Sequence, residues 1–364
     1  MRFIISQNKL IEVLEKVSGP ISSKQNFPVL NCVLIEALQD KIKFTTTDLD
    51  SSIITYLTTS IEKEGKAAVP FKRLISIVRE LPKQEITVEK IKESLCISCE
   101  KIEFKINCME VEDFPQINEE IKENLITLSS SDLLEMIKMT SFCVGGEELN
   151  YILSGILFEI VEDRINLVAT DGKRLSFIQR KLPPTQPEIS TKLSFILPLK
   201  AIHEIQKLVK KKEEIFLFVK DGNVGIDCRD TLFFTKTIEG EFPNYSQYIP
   251  APVESKLTVR RSLFLSALKR AQLLSTPDYQ GVKLELEKNE LILSKSTPQL
   301  GELKESLEAN YTGTPLQISF NPVYLIDVLK NIDEEMVTFE IYGEDKPAVL
   351  RKENYIYLVL PIKL

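Results

Sequence analysis

SDLLEMIKMTSF (131–142), SGILFEI (154–160) and RINLVATDGKR (164–174) together decide how the chain is organised. Leu133, Ile137 and Thr140 fall at helical spacing, and Ser131 or Asp132 can cap the start. Ile156 and Phe158, then Ile165, Leu167 and Ala169, alternate as a half-buried strand pair. The same order occurs twice more. NKLIEVLEKV (8–17) leads to NCVLIEA (31–37) and KIKFTTTD (41–48), and SLFLSALKRA (262–271) leads to GVKLELE (281–287) and ELILSKST (290–297). Each copy reads as helix, short strand, turn and alternating strand.

A second unit recurs with them. VPFKRLISIVREL (69–81), LPLKAIHEIQKLV (197–209) and FNPVYLIDVLKNI (320–332) each set a proline at an expected first helical position, where its missing N–H costs nothing. Pro70 and Pro198 lie 128 residues apart, Pro198 and Pro322 lie 124 apart, and the DFPQI and EFPNY motifs repeat the 128 between Pro115 and Pro243. Two independent units holding one spacing imply three structural repeats, expected at 1–124, 125–252 and 253–364. Repeats that each combine helices with alternating strands joined by short turns place the chain in the α+β class.

A chain of 364 residues exceeds what one core usually supports, and an apolar fraction of 43% is enough for real cores. The net charge of −7 argues against a surface that binds nucleic acid everywhere, though not against a basic surface inside an acidic whole. Six cysteines are scattered. Only Cys96 and Cys99 form a CxxC, inside a stretch that alternates like a strand and without a second pair to complete a zinc site. A reduced, cytoplasmic protein without metal or cofactor is expected. No signal-like segment and no run of 18 apolar residues is present.

Enzyme chemistry finds no support. The one histidine, His203, lies on a lysine-rich helix face, so neither a Ser-His-Asp nor a Cys-His arrangement can be built. Neither GxxxxGK nor GxGxxG occurs. Asp48 and Asp171 occupy equivalent turns, where a carboxylate usually satisfies its own backbone.

The basic residues instead gather on helix faces: Lys9 and Lys16, Lys72, Arg73 and Arg79, Lys200, Lys207 and Lys211, Lys269 and Arg270. Lys24 stands in a polar loop after the first helix. Acidic neighbours such as Glu12, Glu15 and Glu204 dilute these faces, and Asp327 with Lys330 leaves the last one nearly neutral. If the repeats form an arc with helices inside, the basic faces line one concavity, which attracts phosphates without reading bases. The terminal YIYLVLPIKL (355–364) reads as a strand broken at Pro361, and its apolar tail is either a docked strand or part of a binding pocket.

The repeat pattern, with VATDGKRL, EFPNY, FNPVYLIDVL and the terminal YLVLPIKL, resembles the beta subunit of bacterial DNA polymerase III, the sliding clamp family, over the whole chain. The resemblance implies three similar clamp domains per chain and a homodimer closed head to tail into a ring. Helices would line the hole and antiparallel sheets would face outward. It further implies a processivity factor that encircles double-stranded DNA without sequence specificity. Through short linear motifs it would tether the replicative polymerase, the clamp loader and repair proteins.

Carried over by motif, the peptide pocket is Leu153, Thr170, Gly172, Lys173, Arg174, Leu175, Pro243, Tyr248, Val359, Leu360, Pro361 and Ile362, with Lys363 and Leu364 completing the tail. The candidate DNA contacts are Lys24, Lys72, Arg73, Arg79, Asn150, Tyr151, Lys200, Lys207 and Lys211, and Phe104, Leu273 and Leu274 fall at the expected dimer interface. Ser246 and Gln247 follow Tyr245 where clamps often carry basic residues. A linear three-repeat scaffold that binds peptides and not DNA is the alternative.

Overall fold

The computed structural model describes residues 1–21, 27–117, 119, 125–146, 148, 150–183, 193–210 and 213–363. Lys24, Lys211 and Leu364, singled out above, lie outside the described residues. The α-helices are α1 (Gln7–Lys16), α2 (Phe71–Glu80), α3 (Ser130–Thr140), α4 (Leu199–Leu208), α5 (Arg261–Gln272) and α6 (Pro322–Asn331). Two fall in each expected repeat. They are shorter than the periodicity suggests: α1 stops at Lys16 and α4 at Leu208.

Two expectations about helix starts need correction. Pro70 and Pro198 are the last residues of strands, and the helices begin one residue later at Phe71 and Leu199. Both strands lie at the edge of their sheets, where proline's missing N–H interrupts no ladder. Only Pro322 opens a helix, behind Asn321, whose side chain accepts from Val323 N at 3.0 Å. Likewise α3 begins at Ser130, ahead of the expected cap, and the Ser130 hydroxyl accepts from Glu213 N at 2.9 Å.

The chain forms two compact units. One gathers residues 1–131 and 200–237, the other residues 132–183, 193–199 and 238–363, so the middle repeat contributes to both. The first unit holds two antiparallel sheets. A five-stranded sheet runs Ser60–Lys63, Arg2–Ser6, Glu85–Ile91, Ser94–Cys99 and Ile102–Asn107. An eight-stranded sheet runs Ile126–Ser129, Glu214–Lys220, Asn223–Asp227, Thr231–Lys236, Ser51–Thr58, Lys41–Thr47, Cys32–Ala37 and Gly65–Pro70. Leu10, Val13 and Leu14 of α1 and Phe71, Leu74, Ile75 and Val78 of α2 are buried, as the helical spacing requires. Buried Gln7 ties the two helices together: its side-chain amide donates to Val78 O at 3.0 Å and to Leu81 O, just past the end of α2, at 3.3 Å.

The second unit is one twelve-stranded antiparallel sheet. It runs Leu193–Pro198, Gly155–Val161, Arg164–Thr170, Arg174–Lys181, Tyr355–Val359, Ala348–Lys352, Met336–Ile341, Lys256–Arg260, Gly301–Tyr311, Glu290–Thr297, Val282–Glu287 and Leu316–Phe320. In it α5 packs against α6, and Phe264 meets Phe339 edge to face with ring centres 6.3 Å apart.

Both long sheets are made continuous by the same step. In the first unit Thr231–Lys236 pairs with Ser51–Thr58; in the second, Tyr355–Val359 pairs with Arg174–Lys181. Each step joins the last strand of one repeat to the hairpin strand of the repeat before it.

Cys96 and Cys99 are both buried in the strand Ser94–Cys99. All six cysteines are free thiols, and no cluster of three His, Cys, Asp or Glu that could hold a metal occurs among the described residues. Among the same residues no helix is long and apolar enough to cross a membrane.

Candidate functional site

The turn Thr170–Arg174 is built from its own side chains. Thr170 Oγ1 donates to Arg174 O at 2.6 Å and accepts from Gly172 N at 3.1 Å. Asp171 Oδ1 accepts from Lys173 N at 2.9 Å and from Arg174 N at 3.0 Å, the backbone-satisfying role its place in a turn suggested. Gly172 has φ +83, where a side chain is strained, although a Cβ added there would meet open space. The turn leads into the pairing of Arg174 with Val359, and Leu360 N donates to Lys173 O at 2.9 Å. Ile362 N then donates to Ser319 O at 2.7 Å, so the segment Leu360–Lys363 is docked beyond its strand.

Arg174 is the electrostatic centre. Its side chain is 9% exposed, and its Nε and Nη1 donate to Asp171 Oδ2 at 3.0 Å and Asp327 Oδ2 at 2.7 Å. Its guanidinium lies 4.5 Å from the Tyr324 ring centre and 5.8 Å from that of Phe142. Burial works to depress its pKa, but Cys143, Tyr357 and the two carboxylates outweigh that and move it upward. The charge is held by neighbours on three elements, which fixes the turn against α6. Asp327 and Tyr324 were not selected from the sequence. Their signal was there: both lie on the outer face of FNPVYLIDVL, but helical spacing does not say which distant cation they meet.

The structure brings the other sequence-selected pocket residues into the same unit in two groups. Leu175 and Val359 are buried, Leu175 packing with Leu157, Val168 and Leu358 in the core beneath the turn. Gly172, Lys173, Pro243, Tyr248, Leu360 and Lys363 are exposed, while Leu153, Thr170, Pro361 and Ile362 are half-buried. Buried apolar side chains thus lie in one unit with exposed residues that include two lysines, one tyrosine and one proline. The same unit carries a groove of about 1050 Å³ whose lining includes Lys173, Tyr324 and Leu360–Lys363.

The helix faces are less basic than the lysine spacing suggests. In the first unit Arg79 pairs with Glu15 at 3.0 Å, Lys207 with Glu204 at 2.7 Å, Lys16 with Asp230 at 2.7 Å, and Lys200 with Asp48. Lys72 and Arg73 are exposed on α2 with no ion pair among the described residues. Only the Arg79–Glu15 pair is exposed on both sides, and such a pair is worth about 0.2–1 kcal/mol, little enough for a phosphate to displace it. In the second unit Asn150 caps a short turn, accepting from Ile152 N at 3.0 Å, and Tyr151 is 60% exposed.

Phe104 is 38% exposed on the strand Ile102–Asn107, which has a neighbour on one side only. Leu273 is 80% exposed just past α5, and Leu274 O accepts from Thr297 Oγ1 at 2.6 Å.

Three stretches of the chain match one family: residues 1–118 the N-terminal domain, 127–244 the central domain and 246–362 the C-terminal domain of the DNA polymerase III beta subunit. The chain belongs to that family. It is 31% identical to the beta sliding clamp of Chlamydia muridarum, over all of this chain and 99% of that one. Among solved structures, the sliding clamp of Bartonella birtlesii bound to griselimycin superposes with a TM-score of 0.94 at 30% identity, over the full length of both chains. The Bacillus subtilis DNA polymerase sliding clamp gives 0.95 at 26% identity, over 100% of this chain and 99% of that one. The fold is the three-domain sliding-clamp fold, and the chain is not an enzyme. The family binds DNA and polymerase partners.

Proposed function

We propose that two copies of the chain close head to tail into a ring around duplex DNA and tether the replicative polymerase to it as a processivity factor. The observation that carries this reading is the pattern of strand junctions. Twice within the chain a repeat's hairpin strand accepts the last strand of the next repeat. The third junction has both its halves and no pairing between them. Ile102–Asn107, the last strand of the first repeat, ends its sheet, and the Gly301–Leu307 part of the long strand has Glu290–Thr297 on one side only. Unpaired edges are templates for another strand. Joining each free edge to the complementary edge of a second copy repeats the junction and closes the assembly at two chains.

In this reading the domains divide near residues 124 and 252, the helices line the hole, and the sheets face outward. Lys72 and Arg73, with Arg79, Lys200, Lys207, Asn150 and Tyr151, meet phosphates without reading bases. Lys24 and Lys211 belong to the same set by sequence. The polymerase, clamp loader and repair proteins dock short linear motifs in the pocket around Gly172, Lys173 and Leu360–Ile362. The protein acts in the cytoplasm.

The test is topological. Once loaded on a closed DNA circle, the protein is retained through a high-salt wash and lost when the circle is cut. Equal loss from intact and cut circles overturns encirclement and leaves a linear peptide-binding scaffold. Leu273→Ala with Leu274→Ala removes about 3 kcal/mol of apolar burial from the interface and gives a monomer by native mass measurement; an unchanged dimer overturns the assigned interface.

A further inference from the structure

The groove beside Leu360–Lys363 differs in charge from the rest of the molecule. Lys173, Lys283, Lys295, Lys304 and Lys363 line it, against Asp278 and Glu302. Five lysines and two carboxylates leave this lining three positive in a chain whose net charge is −7. Two of the lysines have acidic partners of their own: Lys283 meets Glu285 at 2.8 Å and Lys363 meets Asp345 at 4.0 Å. Lys173 and Lys304 are exposed without an ion pair among the described residues.

Lys295 is the unusual member. It is 5% exposed, yet it has no carboxylate partner; its Nζ donates to Tyr279 O at 2.9 Å and Gly281 O at 2.8 Å. A buried ammonium is ordinarily matched by an anion, and two backbone carbonyls supply only partial charge. Burial lowers its pKa, with no acid acting in the other direction. The lining also offers apolar contact through Tyr279, Leu303 and Tyr324.

We propose that this groove binds the acidic flank of the peptide whose apolar core occupies the adjoining pocket, with carboxylates of the ligand set against Lys173, Lys304 and the uncompensated charge of Lys295. The inference rests on the peptide-pocket reading and names the chemistry of the ligand beyond it. It makes net-negative motifs the preferred partners of this protein and gives the preference a salt dependence that an apolar core alone does not have.

The test uses the full chain and four fluorescent peptides. Each carries the clamp-docking segment of the host's replicative polymerase, extended at one end or the other by three Asp or by three Asn. Fluorescence anisotropy at low salt is expected to give about tenfold tighter binding for Asp at one of the two ends, the yield of two or three partly exposed ion pairs. That advantage shrinks at high salt. Lys295→Gln with Lys304→Gln removes most of it while leaving the Asn peptides unchanged. Equal binding of Asp and Asn peptides at both ends overturns the acidic-flank proposal and leaves the pocket reading intact. Failure of all four to bind overturns the pocket reading itself. An Asp preference unaffected by the double substitution places the acidic flank elsewhere and also overturns the proposal.

Discussion

Thr47–Ser51 and Thr170–Arg174 are the same turn in successive repeats. Thr47 Oγ1 donates to Ser51 O at 3.0 Å and accepts from Leu49 N at 3.1 Å, as Thr170 does for Arg174 and Gly172. Asp48 Oδ1 accepts from the N–H of Asp50 and of Ser51, as Asp171 does from Lys173 and Arg174. Lys236 N donates to Asp50 O at 2.9 Å where Leu360 N donates to Lys173 O. The third residue has positive φ in both, +76 at Leu49 and +83 at Gly172.

The difference is in the charges. The first turn is acidic and takes its cations from elsewhere, Lys200 on Asp48 and Lys236 on Asp50 at 3.0 Å. The second carries its own cation, Arg174, which reaches a second carboxylate on α6, and it presents Lys173 outward. One backbone scaffold thus makes an acidic turn neutralised by distant lysines in one place and a self-paired turn with an outward lysine in the other, according to the side chains at its third to fifth positions.

The largest effect that separates the two turns comes from their fifth residues. Arg174→Ala leaves Asp171 and Asp327 without a cation and is expected to cost about 3 kcal/mol, whereas Ser51→Ala costs about 1 kcal/mol or less. Denaturant midpoints of the two variants check this; equal costs would mean that the turns are held alike. Deleting residues 361–364 is expected to weaken peptide binding at least about tenfold, about 1.4 kcal/mol, with little change in thermal midpoint. Parental affinity in the truncated chain would put the pocket elsewhere.

The third residues sharpen the comparison with opposite signs. Gly172→Ala introduces left-handed strain without a clash and should destabilise by about 1 kcal/mol, while Leu49→Gly relieves strain and should stabilise by up to about 1 kcal/mol.

The smallest effect is in acid. Burial acts to raise the pKa of Asp48, but the bonds from Lys200 and Ser51 outweigh it and hold the carboxyl below its ordinary value. A depressed folded pKa stabilises above the unfolded value of about 3.9 and loses that contribution as pH falls through the lower folded one. The stability gap between the parent and Asp48→Asn should therefore be constant above about pH 5 and close below about pH 4, followed by unfolding at stepped pH. A gap that persists at the acid end would assign it to hydrogen-bond geometry rather than charge.

Much of this was legible from the chain because it is local. Helical spacing in VPFKRLISIVREL puts Leu74, Ile75 and Val78 on one side of α2, and all three are buried. The Asn-Pro start of α6 and the Thr-Asp turns follow from side chains bonding to backbone a few residues away, which a sequence pattern records directly. The recurrence of those patterns revealed the three repeats and led to the family. Prolines 70 and 198 misled because a strand running straight into a helix and a helix opened by proline look alike in one dimension.

What the sequence could not decide depends on which distant groups share a desolvated space. Arg174 finds Asp327 across 153 residues, Lys16 finds Asp230 across 214, and Lys295 loses its water with no acid nearby. The same lysine spacing on a helix face is compatible with a free charge or a neutralised one. Only the fold, by setting which carboxylates lie within reach, separates Lys72 and Arg73 from Lys200 and Lys207. Strand patterns likewise specify an edge but not its neighbour, because every antiparallel backbone offers the same donors and acceptors; the tertiary structure decided which two junctions are filled within the chain and which two edges stay open.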